Sequence, residues 1–455
     1  MPPGTADVDT PPSPFRRPEM ERLFAPDAHV QQMLAFEGAL ARAQAHVGVI
    51  PPEAAAAITA ACASATFDVA ALHRDAVSAG TLAIPLVRAL TAHVGPAGSA
   101  YVHWGATSQD VIDTALMLEM RAGLDLLEHD LGQLAAVCAG LAATHRRTVM
   151  PGRTLLQQAT PITFGLKAAR WLSVAVRQIA AVRAQRASGL ALQFGGATGT
   201  LASLGDRGSA VARVLAEHLD LPLPALPWHG ERDRVATIAA TLGIVAGSVA
   251  KIATDVTLLA QTEVGEVAEA AAPGKGTSSA MPHKRNPVDA IGALAAARLC
   301  LGSVSVVLSA LPQEHERAAG GWQAEWVAVP DVFAFASGVV AHVLGAVTGL
   351  EVHADRMRHN LDMDGGVLMA ESLSMALAPT TGRTDALLLV RELTARAHAH
   401  NQSLRVAAHA DPRVRGVLSP DAIDHALDPG SYLGSADAFI DAALASRRAL
   451  ISSLE

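Results

Sequence analysis

At 455 residues the chain exceeds the size at which one hydrophobic core usually stops growing, so two or three structural regions are expected. Lys and Arg number 35 against 43 Asp and Glu, a formal net charge of −8, which excludes a global basic field for nucleic acid. Three cysteines, Cys62, Cys138 and Cys300, lack the close spacing of zinc or redox motifs, and a reduced cytoplasm fits best.

The first sixteen residues are Pro-rich, without the apolar stretch of a secretion signal, so 1–16 is expected to be a loosely ordered tail. Beyond it aromatics are only 4% and Ala, Leu and Val recur at helical spacing, which predicts an all-α fold. Over 17–100, short helical patterns are broken by Pro51-Pro52, Pro85 and Gly95-Pro96, as in a small helical domain.

The region 101–350 holds five long periodic segments: Ser108–Ala143, Pro161–Ser188, Arg232–Ala271, Pro287–Leu311 and Gln323–Leu350. At ~1.5 Å per residue these are rods of roughly 35 to 60 Å, a long central five-helix bundle. Val235–Ala250 is apolar or small on every face, which implies burial on all sides, and association of subunits would supply it. Val332–Leu350 is uncharged and near the ~20 residues of a membrane span, but it carries His342, Gly, Ser and Thr and reads as a buried bundle helix. No membrane partner is expected. Over 351–455 shorter helices return, punctuated by Asp364-Gly365-Gly366, Pro379, Asp411-Pro412 and Asp428-Pro429-Gly430, a third small helical domain.

Three segments are not bundle chemistry. Pro273–Pro287, PGKGTSSAMPHKRNP, is dense in Gly, Ser, Pro and cations; Gly274 and Gly276 permit unusual backbone angles, and Pro287 suits the first turn of the next helix. Composition alone allows either an anion site at that helix start or a basic surface loop. Tyr101–Thr114, YVHWGATSQDVIDT, holds Thr107 and Ser108, each also suited simply to cap a helix. Gly152–Phe164 reads GRTLLQQATPITF.

GTSSAMPHKRNP resembles the signature loop of the fumarase/aspartase superfamily, G-S-S-x-M-P-x-K-x-N-P, with Thr277 a slight departure. The resemblance implies that Ser278 is the catalytic acid/base and that Lys284 and Asn286 bind a substrate carboxylate and its developing charge. Ser279, Met281 and His283 are candidate substrate contacts in the same loop. Tyr101–Thr114 resembles the first motif of that superfamily and makes His103, Thr107, Ser108 and Gln109 substrate-binding candidates. Gly152–Phe164 resembles the second motif, G-R-T-H-x-Q-x-A-x-P, and adds Arg153, Thr154 and Gln157. In it Leu155 stands where many members carry a general-acid His, and a leucine transfers no proton.

Gly195–Thr200, Trp228–Asp233 and Glu314–Trp326, the last with Arg317, complete a similarity to the branch that lactonises 3-carboxy-cis,cis-muconate. A substrate carboxylate, ionised because its ordinary pKa is near ~4, then serves as nucleophile, and Ser278 supplies the only essential proton, to carbon. An adenylosuccinate-lyase-like C–N lyase is the alternative, although Ala318–Trp326 lacks the Ser and second Arg of a phosphate grip. A non-enzymatic crystallin-like scaffold is the third reading. The resemblance further implies no cofactor or metal, a small polycarboxylate substrate, and a homotetramer with a twenty-helix core whose active sites are shared between subunits.

Overall fold

The computed structural model describes residues 13–452. Helices α1 (Pro18–Leu23), α2 (Pro26–Val47), α3 (Pro52–Ser64), α4 (Val69–Ala79) and α5 (Ala83–Val94) open the chain. Proline starts the first three, where its missing N–H deprives no intrahelical bond, and left-handed Gly48 and Gly80 end α2 and α4. Of the tail expected over 1–16, residues 1–12 lie outside the described residues, whereas Arg16 pairs with Asp331 at 2.6 Å and lies over the Phe335 ring.

There follow α6 (Ser108–Thr144), the hairpin β1 (Val149–Thr154) and β2 (Gln157–Thr163), α7 (Phe164–Ser188), α8 (Gly208–Leu219) and α9 (Asp233–Leu259). Then come β3 (Val267–Ala268), α10 (Val288–Ser309), α11 (Gly321–Val347) and β4 (Glu351–Val352). The chain closes with α12 (Ala354–Leu361), α13 (Ala370–Thr381), α14 (Arg383–Ala399), α15 (Leu404–Ala410), α16 (Pro412–Arg415), α17 (Pro420–Ala426) and α18 (Ala436–Ser452). The five long helices form where periodicity predicts them.

Two expectations need correction. The third long helix ends at Leu259 rather than Ala271: Gly265 adopts a positive φ, and Val267–Ala268 pairs antiparallel with Glu351–Val352. The all-α reading also misses the β1–β2 hairpin, whose two-residue turn is Leu155-Leu156. Both leucines have positive φ, 50° and 65°, the sense of a hairpin turn normally built from Asn and Gly. At the register shift beside Pro151, a Cβ on Gly152 would lie 2.5 Å from the Thr160 carbonyl, so only glycine fits.

The chain divides into two compact units, with every boundary inside one of the long helices. The first comprises the described residues up to Asp130, Gln178–Ala250 and Gly292–Ala341. Its core sets Phe36, Leu40, Val111, Ile238, Val245, Phe333 and Val339 out of solvent, and Gly123 makes room for the Phe333 ring. The second comprises Leu131–Arg177, Lys251–Ile291 and the described residues from His342. Leu373, Leu377, Val390, Leu393, Leu404, Val414 and Ile423 form one of its cores.

Helices α9, α10 and α11 are long and apolar enough to cross a membrane by length and composition. Their most apolar windows are 61%, 39% and 67% buried, so α10 leaves the most apolar surface uncovered, including Ile291, Leu299, Leu301, Val306 and Leu308. On α9, Thr237, Ile244 and Gly247 are likewise exposed within the stretch expected to be buried all round.

Candidate active site

In the first unit, Thr107 immediately precedes α6, and its N–H donates to Asp110 Oδ2 three residues on at 3.0 Å, the return bond of a capping box. The Thr107 hydroxyl is thereby left to accept from Arg317 Nη2 at 3.0 Å, and the same nitrogen donates to the Ala197 carbonyl at 2.9 Å. Arg317 Nε is buried with no partner among the described residues.

Asp110 is fully buried and gathers the segments around this cap. It accepts from the Gln193 side chain, the Gly195 and Gly196 amides, and His229 Nε2 at 2.8 to 3.1 Å. Five donors satisfy a carboxylate that would be costly to bury alone. Gln109, also fully buried, donates to Asp113 and to the His229 carbonyl, while Ser108 remains half-buried at the helix start. Arg232, buried across the Trp228 ring, pairs with both Asp113 and Glu325, and Trp322 Nε1 donates to Asp113.

His103 has a positive φ of 57° and its Nδ1 meets Glu37 Oε1 at 2.5 Å. Burial disfavours its charge, but the Glu37 carboxylate outweighs that and holds its pKa above the ordinary value. His103, Thr107 and Arg317 thus converge on one polar region of this unit, whereas Gln109 is spent inside the protein.

In the second unit, Arg153 on β1 forms a two-pronged pair with the fully buried Glu266, at 2.9 and 2.6 Å, and Asn360 donates to the same carboxylate. Both terminal nitrogens of Arg153 are occupied by that pair. Thr154 and Gln157 face each other beside the hairpin turn and are exposed, with Leu155 at 96% exposure between them.

The segment between β3 and α10 is a loop with a narrow neck. Asn286 closes it, its N–H and Nδ2 donating to the Gly276 carbonyl at 2.9 and 3.2 Å. Gly276 has φ +67°, and a Cβ there would lie 2.4 Å from the Asn286 carbonyl. Within the loop, Ser278 Oγ accepts from the Met281 amide at 3.1 Å and the Ala280 amide at 3.4 Å. Two peptide dipoles directed at one hydroxyl oxygen favour negative charge on it. Ser279, Met281, His283 and Lys284 are exposed around it, and Asn286 is half-buried.

Comparison with known proteins identifies the family. A family model described as "Lyase" matches residues 16–300, and one described as "Adenylosuccinate lyase C-terminus" matches residues 366–443. The 3-carboxy-cis,cis-muconate cycloisomerase of Bradyrhizobium diazoefficiens is 49% identical over 90% of this chain and 92% of its own length. That of Pseudomonas aeruginosa is 47% identical over 96% of both. The chain belongs to the fumarase/aspartase superfamily. A crystal structure of 3-carboxy-cis,cis-muconate lactonizing enzyme from Pseudomonas putida superposes with a TM-score of 0.91 at 43% identity, covering 96% of this chain and 98% of that one.

As a member of the superfamily the chain is an enzyme-type helical protein whose signature loop is the neck-closed segment just described. Sequence reasoning did not find Glu37, Glu266 or Asn360, because each acts on residues remote in the chain. Asp110 alone carried a local signal, an acid three residues after a helix-capping Thr.

Proposed function

We propose that the protein is a cycloisomerase converting 3-carboxy-cis,cis-muconate to 4-carboxymuconolactone, with Ser278 as proton donor to carbon. One substrate carboxylate oxygen attacks the conjugated double bond and forms the lactone C–O bond. The displaced electron pair moves onto the carboxylate conjugated with that bond, and Ser278 then delivers its proton to the adjacent carbon. Lys284 and Asn286 stabilise the enolate-like charge before protonation.

The observation that carries the Ser278 assignment is the pair of backbone amides directed at its Oγ, which stabilise the alkoxide left when the proton departs. Leu155 supports lactonisation over elimination: an expelled amine or hydroxide needs a proton that leucine cannot give, whereas an ionised carboxylate nucleophile needs none. Holding nucleophile and double bond in one molecule also removes the entropy of an encounter. The names of the relatives at 49% and 47% identity support the same substrate.

We further propose a cytoplasmic homotetramer in which copies of α9, α10 and α11 cover one another's apolar faces, in place of a membrane. Sites shared between subunits then draw His103, Thr107 and Ser108, the hairpin with Thr154 and Gln157, and the Ser278 loop from different copies. Residues in all these segments contact the polycarboxylate, with Arg317, His283, Ser279 and Met281 contributing.

Ser278→Ala tests the assignment. Turnover of 3-carboxy-cis,cis-muconate is expected to fall at least about a thousandfold, the order lost when a proton-transfer group is removed, with the native mass unchanged. Near-normal activity in an intact assembly overturns it.

A further inference from the structure

The loop that carries Ser278 and Lys284 hangs from a neck, and both sides of that neck are tied to one residue, Glu269. Glu269 is 7% exposed and immediately follows β3. The carboxylate accepts from the Ala290 amide at 2.8 Å and the Asp289 amide at 3.3 Å, and so caps α10 from outside that helix. Pro287, directly before α10, has no side-chain oxygen to do this. The negative charge also lies at the positive end of the α10 dipole.

Lys275 is the ascending tie. Its Nζ lies 3.3 Å from Glu269 Oε2 and 2.6 Å from Asp289 Oδ2, and it reaches the Gly345 carbonyl at 3.5 Å. Asp289 in turn faces His342 Nδ1 at 3.3 Å. A Cβ on Gly345 would lie 2.9 Å from Asp289 Oδ2, so the glycine admits this pair against α11. Arg285 is the descending tie: Nη2 donates to the Glu269 carbonyl at 2.8 Å, and the guanidinium grips Glu351 at 2.7 and 2.9 Å. Gly276 and Asn286, whose bonds close the neck, directly follow the two tie residues in the chain.

We infer that Glu269, acting through Lys275, is a positioning residue for catalysis: it fixes the two stems of the loop against the start of α10 and so sets where Ser278 and Lys284 stand. Lys275 is on this account a strut and not a substrate cation. The energetic logic is economical. One buried carboxylate has its acceptor sites filled by two helix amides and an ammonium, so loosening the Lys275 tie also leaves charge buried without its partner. The eight residues 277–284 then form one body on a neck fixed by Lys275, Gly276, Arg285 and Asn286.

The inference rests on the reading of Ser278 as the proton donor, and the experiment separates the two. Lys275→Met, Glu269→Gln and Lys275→Arg are made in the full-length protein. Each is compared with wild type for kcat and KM on 3-carboxy-cis,cis-muconate, for melting temperature, and for deuterium uptake of 277–286. Misplacement of a reacting group by about an ångström costs on the order of a hundredfold, so Lys275→Met is expected to lower kcat at least about tenfold with KM within about threefold. Uptake over 277–286 is expected to rise at least about tenfold while the helices keep their protection. Glu269→Gln is expected to follow Lys275→Met, and Lys275→Arg, which keeps the charge, to restore most of kcat and of the protection.

Lys275→Met with kcat within about twofold of wild type overturns the inference, as does a loss of kcat accompanied by lower melting temperature without faster uptake in the loop. Wild-type protein inert toward the muconate sinks the substrate reading instead. The uptake comparison then still decides whether Glu269 and Lys275 hold the neck.

Discussion

Charged side chains in this protein are largely spent on one another, and that is where sequence reasoning at the residue scale loses resolution. Arg153 stood among the candidate substrate ligands, yet both its terminal nitrogens meet Glu266, 113 positions away. Gln109 stood among them too, and it is fully buried against Asp113 and the His229 carbonyl. A motif shows which residue types a region needs without showing which of them face a ligand. Ser278 is different, since its amide partners are two and three residues away and belong to the string itself.

His103 gives the residue-scale prediction. Burial opposes its charge, and the Glu37 carboxylate at 2.5 Å overcomes that, so its folded pKa lies above the ordinary 6.5. A raised folded value means that the stabilisation from this pair is fully present below the unfolded pKa and lost as pH rises through the folded one. An NMR titration of the histidine ring resonances is expected to place the His103 midpoint above 6.5, and His103→Gln is expected to remove that dependence of stability on pH. A midpoint below the ordinary value contradicts the assignment.

Among elements, the long helices were legible because periodic apolar residues over more than twenty positions leave no competing pattern. The overrun of α9 past Leu259 shows the limit of that signal. Gln261–Ala271 continues without proline, but Glu266 is drawn to Arg153 and Glu269 to the start of α10, and those demands break the helix. The hairpin was illegible for a local reason. Leu155-Leu156 supplies none of the Asn or Gly that marks a two-residue turn, and prolines interrupt both strands.

Two leucines with positive φ store strain, roughly 1 to 2 kcal/mol each by the general cost of left-handed backbone in L-residues. Leu156→Gly is therefore expected to raise stability by about 1 kcal/mol in chemical denaturation, net of the extra freedom glycine gives the unfolded chain. A clear loss of stability instead means that the exposed Leu156 side chain is buried against another copy, at a gain larger than the strain relieved. Strain kept at an exposed turn beside Thr154 and Gln157 accords with a working role for this tip.

For the whole molecule, the sequence led correctly to a largely helical member of the superfamily, because the signature string and the long helices agree. Assembly is written into surface composition instead. Helix α10 leaves Ile291, Leu299, Leu301, Val306 and Leu308 half-exposed, an unfavourable surface for an isolated chain in water. The proposed tetramer turns these faces into interfaces between copies. The proposed chemistry then needs one proton-transfer group, Ser278, and a substrate that supplies its own nucleophile.

The most direct test of that chemistry is an ultraviolet assay of purified protein with 3-carboxy-cis,cis-muconate, run beside adenylosuccinate, argininosuccinate and fumarate. The account predicts loss of the conjugated-diene absorbance with the muconate, one lactone formed per diene consumed, and no turnover of the other three. An unchanged diene signal, or turnover of adenylosuccinate in its place, contradicts it.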